Sequence, residues 1–219
     1  MKDLELIIFD WDGTLMDSVM HIVSSLQGAI ETLGLEKRQQ EDLRNIIGLG
    51  MREAIFALYP DQQTTTFADK FTEAYRLFYF AEQAPQTLFS GVRETLESLQ
   101  PHYHLAVATS KSRHGLDRIL AETGLESFFQ ISRCADETRS KPHPQMLNEI
   151  LDTMDVDADK AIMVGDTEYD LEMANRAGVH PVGVSYGVHE LDRLHKHKPV
   201  TVLDELSELN EWLSRLNCA

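Results

Sequence analysis

Leu4-Glu5-Leu6-Ile7-Ile8-Phe9-Asp10-Trp11-Asp12-Gly13-Thr14-Leu15 is the segment whose reading decides the fold. Its first six residues are continuous, mostly apolar and rich in branched side chains, which predicts a short buried strand. A carboxylate at the end of such a strand costs desolvation unless a metal, a hydrogen-bond donor or water compensates it. Asp10 and Asp12, spaced i and i+2, project to the same side of an extended chain and can share one reacting group. Asp12-Gly13 is also good turn chemistry, so a plain strand-to-turn junction competes with that reading.

Outward from this strand, Asp17 or Ser18 can cap a helix carrying Ile22, Val23, Leu26, Ile30 and Leu33, with Gly34 as its stop. Helical patterning continues to about residue 83, with breaks at Gly48-Leu49-Gly50 and Tyr59-Pro60 and no strand among them. Strands and helices then alternate: helix 92–100, strand 104–109, helix 113–123, a weaker strand 128–132 and helix 144–154. Strand 161–164, helix 168–177, strands 182–184 and 200–203 and an amphipathic helix from Asp204 to about Leu216 complete the pattern. Alternation of this kind predicts an α/β fold, a doubly wound and mostly parallel sheet with helices on both faces. The expected organisation is a core of residues 1–15 and 89–219 with a helical cap, 16–88, inserted after the first strand. Ligands of open α/β sheets bind at the carboxyl ends of the strands. An insertion there would lie over the site as a lid.

The 219 residues suffice for a sizeable core, and 42% hydrophobic with 26% charged residues is ordinary for a globular protein. The formal charge of -16 argues against a nucleic-acid or anionic-membrane surface. An anionic substrate must therefore be attracted locally, by a metal or by a few basic residues. Cys134 and Cys218 are the only cysteines, which argues against a disulfide framework and for a reducing cytoplasm. No apolar run approaches bilayer length, and the charged N-terminus does not read as a signal peptide. The three histidines 189, 195 and 197 fit no zinc spacing and read as a solvated loop. Phe67, Phe71, Tyr75 and Phe78 recur at helical spacing and read as packing, as do Leu206, Leu209, Trp212, Leu213 and Leu216.

Three further segments fall on the same edge of the expected sheet. Leu105-Ala106-Val107-Ala108-Thr109-Ser110 ends a strand in two hydroxyls, which can grip a phosphoryl oxygen or, for Ser110 or Ser112, cap the next helix. Ser140-Lys141-Pro142-His143-Pro144 fixes one lysine in a rigid turn, where its point charge could hold a carboxylate and a phosphate together. Val164-Gly165-Asp166-Thr167-Glu168-Tyr169-Asp170 again runs from apolar strand into acid; Asp170 can form a capping pair with Thr167, whereas Asp166 has no such structural excuse. Few carboxylates with room for water and phosphate oxygens suit Mg²⁺.

Taken in order, Asp10-Trp11-Asp12-Gly13-Thr14, Thr109-Ser110, Lys141 and Gly165-Asp166-Thr167-Glu168-Tyr169-Asp170 resemble the haloacid dehalogenase superfamily of phosphohydrolases. Within it the chain looks like the phosphoglycolate phosphatase and β-phosphoglucomutase group, over essentially its whole length. The resemblance implies Asp10 as nucleophile, Asp12 as general acid and base, and Thr109 and Lys141 as catalytic partners. It implies Mg²⁺ on Asp10, on Asp166 and on the main-chain carbonyl of Asp12, with Asp170 orienting a metal-bound water or Lys141. Gly13 and Ser110 would bind phosphate, and Lys111 and Arg52, from the Gly48-Leu49-Gly50-Met51-Arg52 break in the cap, would reach the substrate. The expected activity is a Mg²⁺-dependent phosphomonoesterase acting on a small phosphorylated metabolite through an aspartyl-phosphate.

A phosphomutase remains an alternative, as does a binding or regulatory module with a vestigial site. Dehalogenation would need a different second acid, and a phosphonatase a Schiff-base lysine that neither Lys37 nor Lys70 suggests. Phosphoglycolate, a hexose phosphate, a nucleoside monophosphate and pyrophosphate all fit the core chemistry. Oligomeric state is not legible, and a monomer fits.

Overall fold

A computed structural model describes residues 3–81 and 87–217. Its centre is a six-stranded parallel sheet in the order β5-β4-β1-β6-β7-β8. The strands are β1 (Leu6–Phe9), β4 (His104–Thr109), β5 (Ile131–Cys134), β6 (Ala161–Gly165), β7 (His180–Val184) and β8 (Thr201–Leu203). Period-2 alternation sends Ile7, Phe9, Leu105, Val107, Ile162 and Val164 into one apolar layer. Leu6, Ile8, Ala106, Ala108, Ala161 and Met163 enter the opposite layer. The first layer is covered by helices α5 (Val92–Leu99), α6 (Arg113–Thr123) and α10 (Glu208–Asn217). The second is covered by α7 (Gln145–Met154) and α8 (Glu168–Ala177). Both faces of the sheet are thus buried, as a doubly wound α/β fold requires.

Register decides what the sheet can do. Phe9 stands level with Val107 of β4 and Val164 of β6, so all three strands run out at one edge. Asp10 continues the ladder for one bond, its N–H donating to Val164 O at 2.9 Å. The chain end of β1 therefore lies between those of β4 and β6. This is the crevice at which doubly wound sheets hold ligands.

Above that edge stand α1 (Val19–Thr32), α2 (Gln40–Asn45), α3 (Met51–Leu58) and α4 (Thr65–Ala81). Their apolar faces close on a cluster that includes Val23, Leu26, Leu43, Ile55 and Phe71. Val188, from the loop after β7, joins that cluster, so the helical body rests on the sheet's carboxyl edge. Phe67, Phe71 and Tyr75 pack within it, while Phe78 lays its ring against the Cα of Gly28, where an added Cβ would lie 2.6 Å away.

The structure corrects four details. The stretch 16–88 is not purely helical: β2 (Met16–Asp17) and β3 (Thr87–Leu88) pair antiparallel, placing the two chain crossings side by side. Two residues per strand are too few to leave a periodic signal in sequence. The strand expected at 128–132 starts later, at Ile131, because Glu126–Phe128 forms a 3₁₀ turn that seats Phe128 in the core. The terminal helix begins at Glu208, its approach held by Asp204, which accepts from Ser185 Oγ at 2.6 Å. The segment around the three histidines is not a solvated loop. Leu191–His195 is a helix whose Leu194 is fully buried, and His189 is buried with its Nδ1 accepting from Glu168 N–H at 3.1 Å.

Candidate active site

At the exit of β1 the chain turns sharply: the Trp11 carbonyl accepts from Leu15 and Met16 N–H, and Gly13 N–H donates to Met16 O at 2.9 Å. Gly13 sits at φ +82, and a Cβ there would lie 2.2 Å from Asp166 Oδ2. Only glycine combines that backbone with that approach. Asp10, Asp166 and Asp170 meet under this turn, all buried, each offering a carboxylate oxygen within 4.8 Å of the others. They come from the ends of β1 and β6 and from the first turn of α8.

Lys141 enters the cluster from the turn before α7 and is 1% exposed. Its ammonium reaches Asp10 Oδ1 and Asp170 Oδ1, each at 2.7 Å. The other Asp170 oxygen accepts from Thr167 N–H and Thr167 Oγ1, which completes the capping box of α8. Asp170 thus uses both oxygens to fix the helix start and Lys141. Asp166 accepts from Thr14 Oγ1 and from Val188 N–H, both at 2.8 Å.

With all three carboxyls ionised against one ammonium, two negative charges would be left uncompensated in a buried site. Burial raises the Asp10 carboxyl to about 7, the pull of Lys141 being insufficient against burial and the nearby Asp170 and Asp12. Burial, Asp10 and Asp170 likewise raise Asp166 well above the usual carboxylate range. The surplus equals the charge of one divalent cation, and the donors are all oxygen, with no histidine or cysteine in the cluster. That set fits a hard ion of the Mg²⁺ or Ca²⁺ kind.

Asp12 lies one turn further out. Its Oδ1 accepts from Ser18 Oγ at 2.5 Å and meets Lys111 Nζ at 2.9 Å. Lys111 also donates to Tyr79 OH at 2.6 Å. Burial works against the Lys111 charge, but Asp12 and Tyr79 more than offset it and hold its pKa above the usual lysine value. Ser18 stands at the start of α1, as expected of a cap, yet its hydroxyl makes no capping bond and serves Asp12.

This constellation of a doubly acidic strand end, a buried lysine and a second acidic strand end matches residues 7–184 to the family described as haloacid dehalogenase-like hydrolases. The chain belongs to that family. Curated relatives span nearly its whole length. The "Probable phosphatase IndB" of Dickeya dadantii is 37% identical over 93% of this chain and 91% of its own. The phosphoglycolate phosphatase of Vibrio parahaemolyticus is 32% identical over 96% of each. A hydrolase structure from Pseudomonas syringae superposes with a TM-score of 0.88 at 22% identity, covering 97% of this chain and 99% of that one, and shares the fold. The chain is accordingly an enzyme, a phosphatase-type member of the haloacid dehalogenase-like family.

The remaining residues singled out in the sequence fall as follows. Thr109 ends β4 buried, its Oγ1 accepting from Lys111 N–H at 3.2 Å. Ser110 donates its hydroxyl to the carbonyl of Gly48, tying β4 to the helical body. Ser112, not Ser110, caps α6. Gly50 N–H donates to Ser140 Oγ at 2.7 Å, so the Gly48–Gly50 break touches the turn that carries Lys141. Arg52 is exposed and lines an outer groove with Arg139 and Arg176; it does not line the cavity over Asp10. Arg76 of α4 does. Arg76 and Tyr79 are not singled out from the sequence, and Ser18 and Thr14 enter only as a helix cap and as part of the Asp10–Thr14 motif. For the first two a signal existed: Thr72, Arg76 and Tyr79 form a polar stripe at helical spacing beside the apolar one.

Proposed function

We propose that this enzyme hydrolyses a small phosphate monoester through a phosphoryl group carried transiently on Asp10. The observation that carries the reading is the position of Asp10, at the sheet's carboxyl edge with one oxygen held by Lys141. Lys141 fixes the carboxylate and lowers its repulsion from an incoming phosphate. The second oxygen of Asp10 attacks phosphorus as the bond to the ester oxygen breaks. Asp12 gives its proton to that leaving oxygen. It then takes a proton from water, whose oxygen attacks the same phosphorus and releases inorganic phosphate from Asp10.

The sequence of steps needs Asp12 to move protons while Asp10 keeps its geometry. Their different surroundings support that division. Both line the cavity, but Asp10 is gripped by a buried lysine, whereas Asp12 lies further out, held by Ser18 and Lys111. Asp10, Asp166 and the Asp12 main-chain carbonyl would hold Mg²⁺, which when bound supplies positive charge against the phosphoryl oxygens. Thr109, Ser110 and the N–H groups near Gly13 would orient the phosphoryl group. Helices α1 to α4, residues 16–88 with the β2–β3 ribbon at their base, would act as a cap that excludes bulk water on closure. The enzyme would work in the cytoplasm on a soluble metabolite, with no nucleic-acid or membrane partner.

The test is phosphate release from a small aryl phosphate. Release should require Mg²⁺, stop with EDTA and vanish in Asp10→Asn. Release that persists in Asp10→Asn would refute the assignment.

A further inference from the structure

The cavity over Asp10 and Asp12 has a volume of about 140 Å³, near the size at which an apolar hole accepts a single benzene ring. Much of its wall is apolar, formed by Ile22, Leu26, Ile46, Ile47, Leu49 and Ala54 together with the rings of Tyr75, Tyr79 and Phe80. Most of the polar side chains on it are already engaged within the protein. Thr72 Oγ1 donates to Ala68 O at 2.8 Å, and the Ser110 hydroxyl donates to Gly48 O. Ser112 Oγ accepts from Gly115 N–H at 3.3 Å, and Tyr79 OH accepts from Lys111. A substrate bearing several hydroxyls would bury most of them against apolar wall without partners, which is unfavourable for each one so placed.

Besides the Tyr75 hydroxyl, which makes no hydrogen bond among the described residues, Arg76 is the exception. It lines both the cavity and the groove outside it, and among the described residues its guanidinium makes no ion pair or hydrogen bond. A guanidinium presents a planar fork of donors suited to a carboxylate or a second phosphate. In a chain of formal charge -16 such a group at the mouth of the site is a local attractor for an anion.

We propose that the substrate is a phosphate monoester whose alcohol part has an apolar body no larger than about a single ring, and that Arg76 binds a second anionic group at its far end. This rests on the phosphatase reading for the phosphate end and on the cavity for the rest. Sugar phosphates are then poor substrates, because most of their hydroxyls meet apolar wall.

The test compares kcat/KM for phenyl phosphate, 4-carboxyphenyl phosphate and glucose 6-phosphate in the wild type and in Arg76→Met. In parallel, calorimetry measures binding of benzylphosphonate and 4-(phosphonomethyl)benzoate, which cannot be hydrolysed, to both proteins. In the wild type the carboxylate should improve kcat/KM and affinity by about tenfold or more, and in Arg76→Met that ratio should collapse towards one. Glucose 6-phosphate should trail phenyl phosphate by a similar factor. A carboxylate benefit that survives in Arg76→Met, or glucose 6-phosphate matching the aryl esters, overturns the proposal. If the phosphonates bind as expected but no ester releases phosphate, the cavity inference stands and the phosphatase reading falls. If phosphate is released with the selectivity reversed, the phosphatase reading stands and the cavity inference falls.

Discussion

Replacing Lys141 by methionine removes the only cation in direct contact with the Asp10, Asp166 and Asp170 cluster among the described residues. The ammonium is buried, with both carboxylate contacts at 2.7 Å. At an effective dielectric of about 20, each contact is a gross attraction of about 6 kcal/mol, most of it offset by desolvation. What remains on deleting one partner of a buried pair is about 3–5 kcal/mol, because the stranded carboxylates stay buried. In a chain of this length each kcal/mol moves Tm by about 2–4 °C, so thermal unfolding in EDTA should fall by about 6–20 °C. The deficit should widen with pH. Asp10 already has its folded carboxyl raised from 3.8 to about 7. A raised carboxyl binds more protons folded than unfolded, so stability is lost as pH rises through that window. Removing Lys141 raises Asp10 further, and the loss at pH 8 should exceed the loss at pH 6. Mg²⁺ should restore part of it by neutralising the same oxygens. Activity should drop by about 10²–10³ in kcat/KM, the usual scale for a preorganised charge at a reacting centre. A variant whose Tm in EDTA stays within about 2 °C of wild type at both pH values would refute the reasoning.

Asp10→Asn carries the opposite sign: in EDTA at pH 8 it should be more stable than wild type by a few kcal/mol, because a neutral amide replaces a carboxylate that burial disfavours. Differential scanning fluorimetry with and without Mg²⁺ checks this, and the gain should shrink when the cation is present. Gly13→Ala puts a Cβ 2.2 Å from Asp166 Oδ2 at a φ of +82; a stability loss of about 2 kcal/mol is expected, with the Mg²⁺ requirement for activity raised by about tenfold or more. Wild-type affinity for Mg²⁺ in that variant would show the approach to be unimportant. Burial pushes the Cys134 thiol up to about 12, so iodoacetamide at pH 8 should leave it unmodified in the native protein and label it in urea, as peptide mass spectrometry would report.

The fold was legible where burial imposes a pattern. A short branched run such as Leu6-Ile7-Ile8-Phe9 reads as a strand sealed on both faces, and the acid that ends it lies at the sheet's carboxyl edge. Asp166 was legible for the same reason, and Thr167-x-x-Asp170 announced its capping box. Lys141 stood out because prolines pin it in an acidic chain, although its two carboxylate partners lie 131 and 29 residues away along the chain. What escaped depends on three-dimensional placement of ordinary residues. Ser18 looks like any helix cap until its hydroxyl is seen on Asp12. His189 is buried against Glu168 and Tyr169 at the start of α8, before a helix around Leu194 too short to announce itself. Arg52 and Arg76 are equally plain arginines in sequence, and only the orientation of α3 against α4 puts Arg76 on the cavity wall.

The central claim is that phosphorus bonds to Asp10, and the most direct measurement is to trap that bond. On the proposed mechanism Asp12→Asn removes the base that activates water, so incubation with an aryl phosphate bearing a good leaving group, followed by acid quench and digestion, should yield phosphoryl label on the peptide containing Asp10, removable by hydroxylamine as an acyl phosphate is. Label on any other residue, or turnover of the wild type with no label on Asp10 under any quench, would contradict the account.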